Sequence, residues 1–207
     1  MNTVSKNPGR PSMEEARIDE LFQQEIGQHR SVVDATARGV RADFGTALRI
    51  MAHSLEQGGK LLFFGNGGSA AQAQHIAAEL VVRYKLDRAP IAAIALTADS
   101  STLTACANDL GFEALFARQI AALGRPGDVA VGLSTSGRSP NILEGLRRAR
   151  ADGLKTVGLT GASAGEIAAL CDAAIAVPSA ITARVQEMHV MIGHLLCLAL
   201  ESHLGRV

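Results

Sequence analysis

Five short apolar runs, each followed by a helix-patterned segment, constrain this chain more than any other feature. They read "LLFF" at 61–64, "IAAIAL" at 91–96, "DVAVGL" at 128–133, "LKTVGL" at 154–159 and "AAIAV" at 173–177. None alternates polar with apolar residues, so none has a face for water. Such runs suit strands of a parallel sheet covered on both sides. The segments between them carry helical patterning: 69–84, 99–123 with a break at "NDLG" (108–111), 139–151, 163–171 and 182–204. A parallel pair needs a crossover of a dozen residues or more, and these helices supply it. The expected fold is therefore α/β, a three-layer αβα sandwich around a five-stranded parallel sheet.

An N-terminal helical arm precedes the sheet. Residues 13–57 show helical patterning and no strand signal, with a break expected near Gly27 to Ser31. The domain reading is a disordered tail at 1–12, N-terminal helices at 13–58 and the α/β unit at 59–207, all one structural domain. Aromatic residues are only 3% of the chain, so the core must be built from Ala, Leu, Val and Ile. Basic and acidic residues balance at 20 each, which leaves no basic surplus for nucleic acid. Cys106, Cys171 and Cys197 stand apart among small or apolar neighbours and read as reduced, buried thiols. The opening "MNTVSKNPGRPSM" lacks an apolar signal core, and no apolar run reaches the roughly 20 residues that span a bilayer. The expectation is a cytoplasmic protein without a membrane partner.

Open parallel sheets bind ligands at the carboxyl ends of strands, where the strand order reverses. That points to the loops after the first and third runs. The first, "GNGGS" (65–69), departs from the dinucleotide fingerprint: Ala70 stands where a third glycine belongs. The nearest acid after the second run, Asp99, also comes late. The second loop, "STSGRS" (134–139), clusters Ser134, Thr135, Ser136 and Ser139 ahead of Pro140. Ser139 as cap with Pro140 in the first helical turn is a helix-start signal. Ser69 with Gln72, and Ser163 with Glu166, fit capping boxes. Two hydroxyl-bearing loops at the ligand edge, each opening a helix, also favour an anion such as phosphate.

The helix after the first loop carries His75 and Glu79, four residues apart and about 6 Å along the axis. Arg83 continues that face. The last helix carries Gln186, Glu187, His189 and His194. Spacing permits a mixed nitrogen and oxygen metal site between the two helices but leaves Gln186 and Glu187 equally good partners for it.

Taken in order, "GNGGS", "HIAAEL", "AND", "STSGRSPN" and "RVQEMHVMIGH" resemble the sugar isomerase (SIS) domain family, from about residue 30 to the end. The resemblance implies flavodoxin-like strand order and a homotetramer. It implies an aldose–ketose isomerase that converts sedoheptulose 7-phosphate to D-glycero-D-manno-heptose 7-phosphate for bacterial surface polysaccharide. It implies phosphate on Ser69, Ser134, Thr135, Ser136 and Ser139. Asn66, Gly67, Gly68, Asn108 and Asp109 would line the sugar pocket, with Gln186 and Arg83 counted toward the substrate. One zinc per subunit would be held by His75, Glu79, Gln186 and His194, and Glu79 and His194 would be the acid/base pair. Some relatives carry Asp where this chain has Ala183, so no role for that Asp carries over. The family also includes non-enzymatic regulators, one of which binds the replication initiator protein, and that is the alternative function.

Overall fold

The computed structural model describes residues 13–205, so the tail expected at 1–12 lies outside the described residues. Helices α1 (Met13–Gly39) and α2 (Arg41–Glu56) lead into β1 (Leu61–Gly65) and α3 (Gly68–Val81). β2 (Ala93–Ala95) is followed by α4 (Ser100–Asp109), a 3-10 turn at Phe112–Ala114 and α5 (Leu115–Leu123). Then come β3 (Val129–Ser134), α6 (Pro140–Ala151), β4 (Lys155–Thr160), α7 (Gly165–Leu170), β5 (Ala173–Ala176) and α8 (Thr182–Leu204). The strands lie in the order β2-β1-β3-β4-β5, all parallel. This is the flavodoxin-like order, with its reversal between β1 and β3.

Pleating sends alternate residues of β1 to opposite cores. Leu61 and Phe63 face α2, α3 and α8, while Leu62 and Phe64 face α5 and α6. All four are at most 2% exposed, and each contributes about 1.5–3 kcal/mol by leaving water. Cys106 and Cys197 are buried and Cys171 is half-buried, all as free thiols. Among the described residues no helix is long and apolar enough to cross a membrane.

The boundaries correct several expectations. α1 runs through Gly27 and Ser31 without a break; the chain bends at Val40 instead. One glycine in a helix interior costs only about 1 kcal/mol, which a 27-residue helix absorbs. The second strand is three residues long, as suits an edge position with only β1 beside it. Side-chain caps are absent at Ser69, Ser139 and Ser163: α3 starts on Gly67, α7 starts on Ala164, and Ser139 precedes α6 without a capping bond. Asp99 caps α4 instead, accepting from the amides of Ser101 and Thr102 and from the Thr102 hydroxyl. Those bonds hold its carboxyl below the usual range. Helix α3 also stops at Val81, three residues early, so Arg83 lies past its end and does not extend the His75–Glu79 face.

Close packing of α6 on the sheet depends on Gly145. A Cβ there would stand 2.9 Å from the Phe64 ring and 3.1 Å from Phe116 Cβ, both fully buried. Gly145→Val is expected to destabilise the protein by about 1–3 kcal/mol through overpacking. Urea unfolding of the two proteins measures it.

Candidate active site

The reversal of strand order sets the loop after β1 beside the loop after β3. Gly67 makes the first loop possible: its φ of +54° is a left-handed conformation that residues with a Cβ rarely adopt. The loops are tied by a reciprocal amide pair. Asn66 Nδ2 donates to Asn141 Oδ1 and Asn141 Nδ2 donates to Asn66 Oδ1, both at 2.8 Å. Asn141 is 2% exposed. Spacing alone does not mark it as a site residue; its place in the first turn of a rim helix is the signal the sequence carries.

In the second loop the hydroxyls converge. Ser134 Oγ lies 3.2 Å from Ser139 Oγ and 3.5 Å from Ser136 Oγ. Ser136 Oγ also accepts from the Arg138 amide. Ser134 is buried, Ser139 and Thr135 are half-buried and Ser136 is exposed, so the cluster opens outward. With no side-chain cap to make, the Ser139 hydroxyl belongs to this cluster. Ser69 is buried at the start of α3, across the rim.

About two helical turns beyond the first loop, α3 crosses α8. Gly193 permits the contact, because a Cβ there would stand 2.5 Å from Ile76 Cδ1. The residues next to this crossing are His75 and His194. Their Nε2 atoms are 2.7 Å apart, and Glu79 Oε1 is 3.7 Å from His75 Nε2. The three side chains place ligand atoms within 4.8 Å of one another. Two imidazoles and a carboxylate form a donor set that suits zinc. Two ligands about 2.0–2.1 Å from one zinc stand about 3.3 Å apart, so the imidazoles would need to open only slightly. The Tyr84 ring stacks on His194, centroids 5.2 Å apart and planes at 22°.

The structure separates Gln186 from Glu187. The Gln186 side-chain amide packs against Gly68 in the space a Cβ would fill, and the Gln186 backbone carbonyl accepts from Gln72 Nε2. Glu187 turns toward α1, bonding His29 at 2.8 Å and Arg184 at 2.9 Å. Asn108 and Asp109 end α4, exposed, with Asn108 Nδ2 donating to Asp109 Oδ1; neither joins the bonded rim loops. Arg83 is exposed. Three further residues shape the site without having been foreseen: Tyr84, and the buried Arg88–Glu201 pair that holds the segment carrying it.

The SIS domain family matches residues 26–161. The phosphoheptose isomerase of Paramagnetospirillum magneticum is 54% identical over 182 residues, 88% of this chain and 95% of that one. That of Helicobacter pylori strain P12 is 45% identical, covering 90% and 97%. The solved structure of phosphoheptose isomerase from Neisseria gonorrhoeae superposes with a TM-score of 0.85 at 38% identity, covering 89% of this chain and 99% of that one.

His189, on α8 against the carboxyl end of β4, is fully buried. Its Nε2 lies 3.2 Å from the Thr160 carbonyl, and its Nδ1 has no partner among the described residues. Burial lowers its pKa from 6.5 to about 4, against the smaller pull of that carbonyl. Between those values the unfolded chain takes up a proton that folded His189 refuses, so stability falls as pH drops. The loss, complete below about pH 4, is on the order of 3 kcal/mol. His189→Gln, which still offers a donor to Thr160, is expected to flatten the acid side of a stability–pH profile by that amount.

Proposed function

Because the chain belongs to the SIS domain family and within it to the phosphoheptose isomerases, we propose that it converts sedoheptulose 7-phosphate to D-glycero-D-manno-heptose 7-phosphate, for bacterial heptose-containing surface polysaccharide. The observation that carries this reading is a hydroxyl-lined rim joined through Asn66–Asn141 to a loop whose helix, α3, bears His75 and Glu79 and meets His194 of α8. In this reading the hydroxyl rim is the anion site and the two imidazoles and carboxylate supply the proton-transferring groups. The relatives named above are isomerases by name, which favours the enzyme over the regulator.

In the proposed reaction, Ser134, Thr135, Ser136, Ser139 and Ser69 hold the phosphate, helped by the N-termini of α3 and α6. Binding energy spent there, far from the reacting carbons, orients the rest of the sugar. Asn66, Gly67, Gly68, Asn108, Asp109, Gln186 and Arg83 contact its hydroxyls. The Glu79 carboxylate takes the proton from C1 of the ketose and returns it to C2. His194 moves the hydroxyl proton from O1 to O2, through the enediol. One zinc per subunit, held by His75, Glu79, Gln186 and His194, would add positive charge that polarises the substrate carbonyl.

A cytoplasmic homotetramer completes the proposal. Its support is the exposed apolar side chains Ile18, Leu21 and Phe22 on α1, on an arm anchored to α8 by Arg184–Glu25 and His29–Glu187. The arm at 13–58 and the α/β unit at 59–207 are read as one domain.

The test is a coupled isomerase assay on sedoheptulose 7-phosphate, with product identified by NMR. Glu79→Gln and His194→Gln are each expected to lower turnover by about 100- to 10,000-fold. Near-full turnover in both variants would overturn the assigned roles, and an inactive wild-type protein would overturn the function.

A further inference from the structure

Glu201 is the least expected charge in the molecule. It sits in the last turns of α8, where the helix dipole disfavours an acid, and it is fully buried. A buried carboxylate is costly unless its oxygens are bonded. Here they are. Oε1 accepts from the Tyr84 amide at 2.7 Å, and Oε2 accepts from the amides of Lys85 at 2.9 Å and Leu86 at 3.2 Å. Arg88 pairs with Oε1 at 3.0 Å, itself only 4% exposed. Burial pushes this carboxyl up, but the three amides and Arg88 outweigh it and hold it lowered.

The consequence reaches the candidate active site by two routes. Three successive amides bound to one carboxylate fold residues 82–88 into a strap across α8. That strap lays the Tyr84 ring flat on His194, and the ammonium of Lys85 covers the ring at 5.4 Å from its centroid. A flat aromatic on one imidazole face restricts ring rotation and leaves the Nε2 edge directed at His75 Nε2. Meanwhile Arg88 donates to the carbonyls of Glu79 at 3.0 Å and Leu80 at 2.7 Å. It thereby closes the last turn of the helix that carries Glu79. Glu201 lies seven positions beyond His194, two turns on one face of α8.

We infer that Glu201 and Tyr84 are positioning residues for His194: the carboxylate folds the 82–88 strap, and the strap's aromatic ring fixes the imidazole that faces His75 and Glu79. Neither residue touches the reacting atoms. The inference deepens the isomerase reading and rests on it for the kinetic readout, but zinc affinity tests it separately.

The experiment compares Tyr84→Ala, Tyr84→Phe and Glu201→Gln with the wild-type full-length chain. Zinc affinity is measured by chelator competition, and kcat and KM are measured on sedoheptulose 7-phosphate. Tyr84 is half-buried, so its variants test the ring even if Glu201→Gln fails to fold. Tyr84→Ala is expected to weaken zinc binding by about 10-fold and lower kcat by a similar factor, with KM within about two-fold. Tyr84→Phe keeps the ring and is expected to restore both, and soluble Glu201→Gln follows Tyr84→Ala. A purely structural strap would lower Tm without separating Ala from Phe, or would raise KM along with the loss of kcat. Equal zinc affinity and kcat in Tyr84→Ala and wild type, or equal losses in Ala and Phe, would overturn the inference. If wild-type protein turned over no heptulose phosphate, the isomerase reading would fall and the zinc comparison would still decide the role of Tyr84.

Discussion

Strand β3 lies beside β1 rather than beside β2, and the candidate site depends on that one reversal. Chain leaving β1 goes to one side of the sheet, and chain leaving β3 goes to the other. Their loops therefore diverge from a shared crevice, and no helix crosses between them. The Asn66–Asn141 pair spans this crevice and uses both polar atoms of each amide. Removing either partner would leave a polar group without its bonds in a mostly buried place, at a cost of about 1–3 kcal/mol. The rim is thus held at fixed width by a reciprocal contact.

A second constraint acts between helices. Small residues set how closely α3 and α8 approach, and Gly193 against Ile76 brings them into contact. The imidazole pair flanks that contact, so its 2.7 Å separation follows from backbone approach rather than from long, flexible side chains. The far ends of both helices meet the Arg88–Glu201 pair. Such a pair is weak grounds for net stability, since desolvation offsets much of its attraction. Its geometric effect is the stronger one: it fixes where α3 stops and where the following segment lies.

Much of this was legible in the residues. Five uninterrupted apolar runs announce a doubly covered parallel sheet, and the ligand-edge rule selects the loops at 65–69 and 134–139. The His75–Glu79 spacing was readable because it is local to one helix. What was not legible depended on tertiary contact. The serines at 69, 139 and 163 looked like caps because capping and hydroxyl clustering draw on the same residue type; geometry alone separates them. Gln186 and Glu187 were indistinguishable by spacing, and packing against Gly68 and His29 divides them. The end of α3 is not legible locally because Glu201, the partner that draws off the amides of Tyr84, Lys85 and Leu86, is over a hundred residues away. An acid in the last turns of a helix was the one local clue to it.

The central claim is that one crevice holds a sugar phosphate by its terminal phosphoryl group and presents the other end to Glu79 and His194. A crystal structure of the protein with sedoheptulose 7-phosphate tests that most directly. The predicted result is phosphate oxygens on the hydroxyls of Ser134, Ser136 and Ser139, with C1 and C2 within reach of the Glu79 carboxylate and the His194 imidazole. Phosphate bound away from that rim, or bound there with C1 and C2 turned away from both side chains, would contradict it.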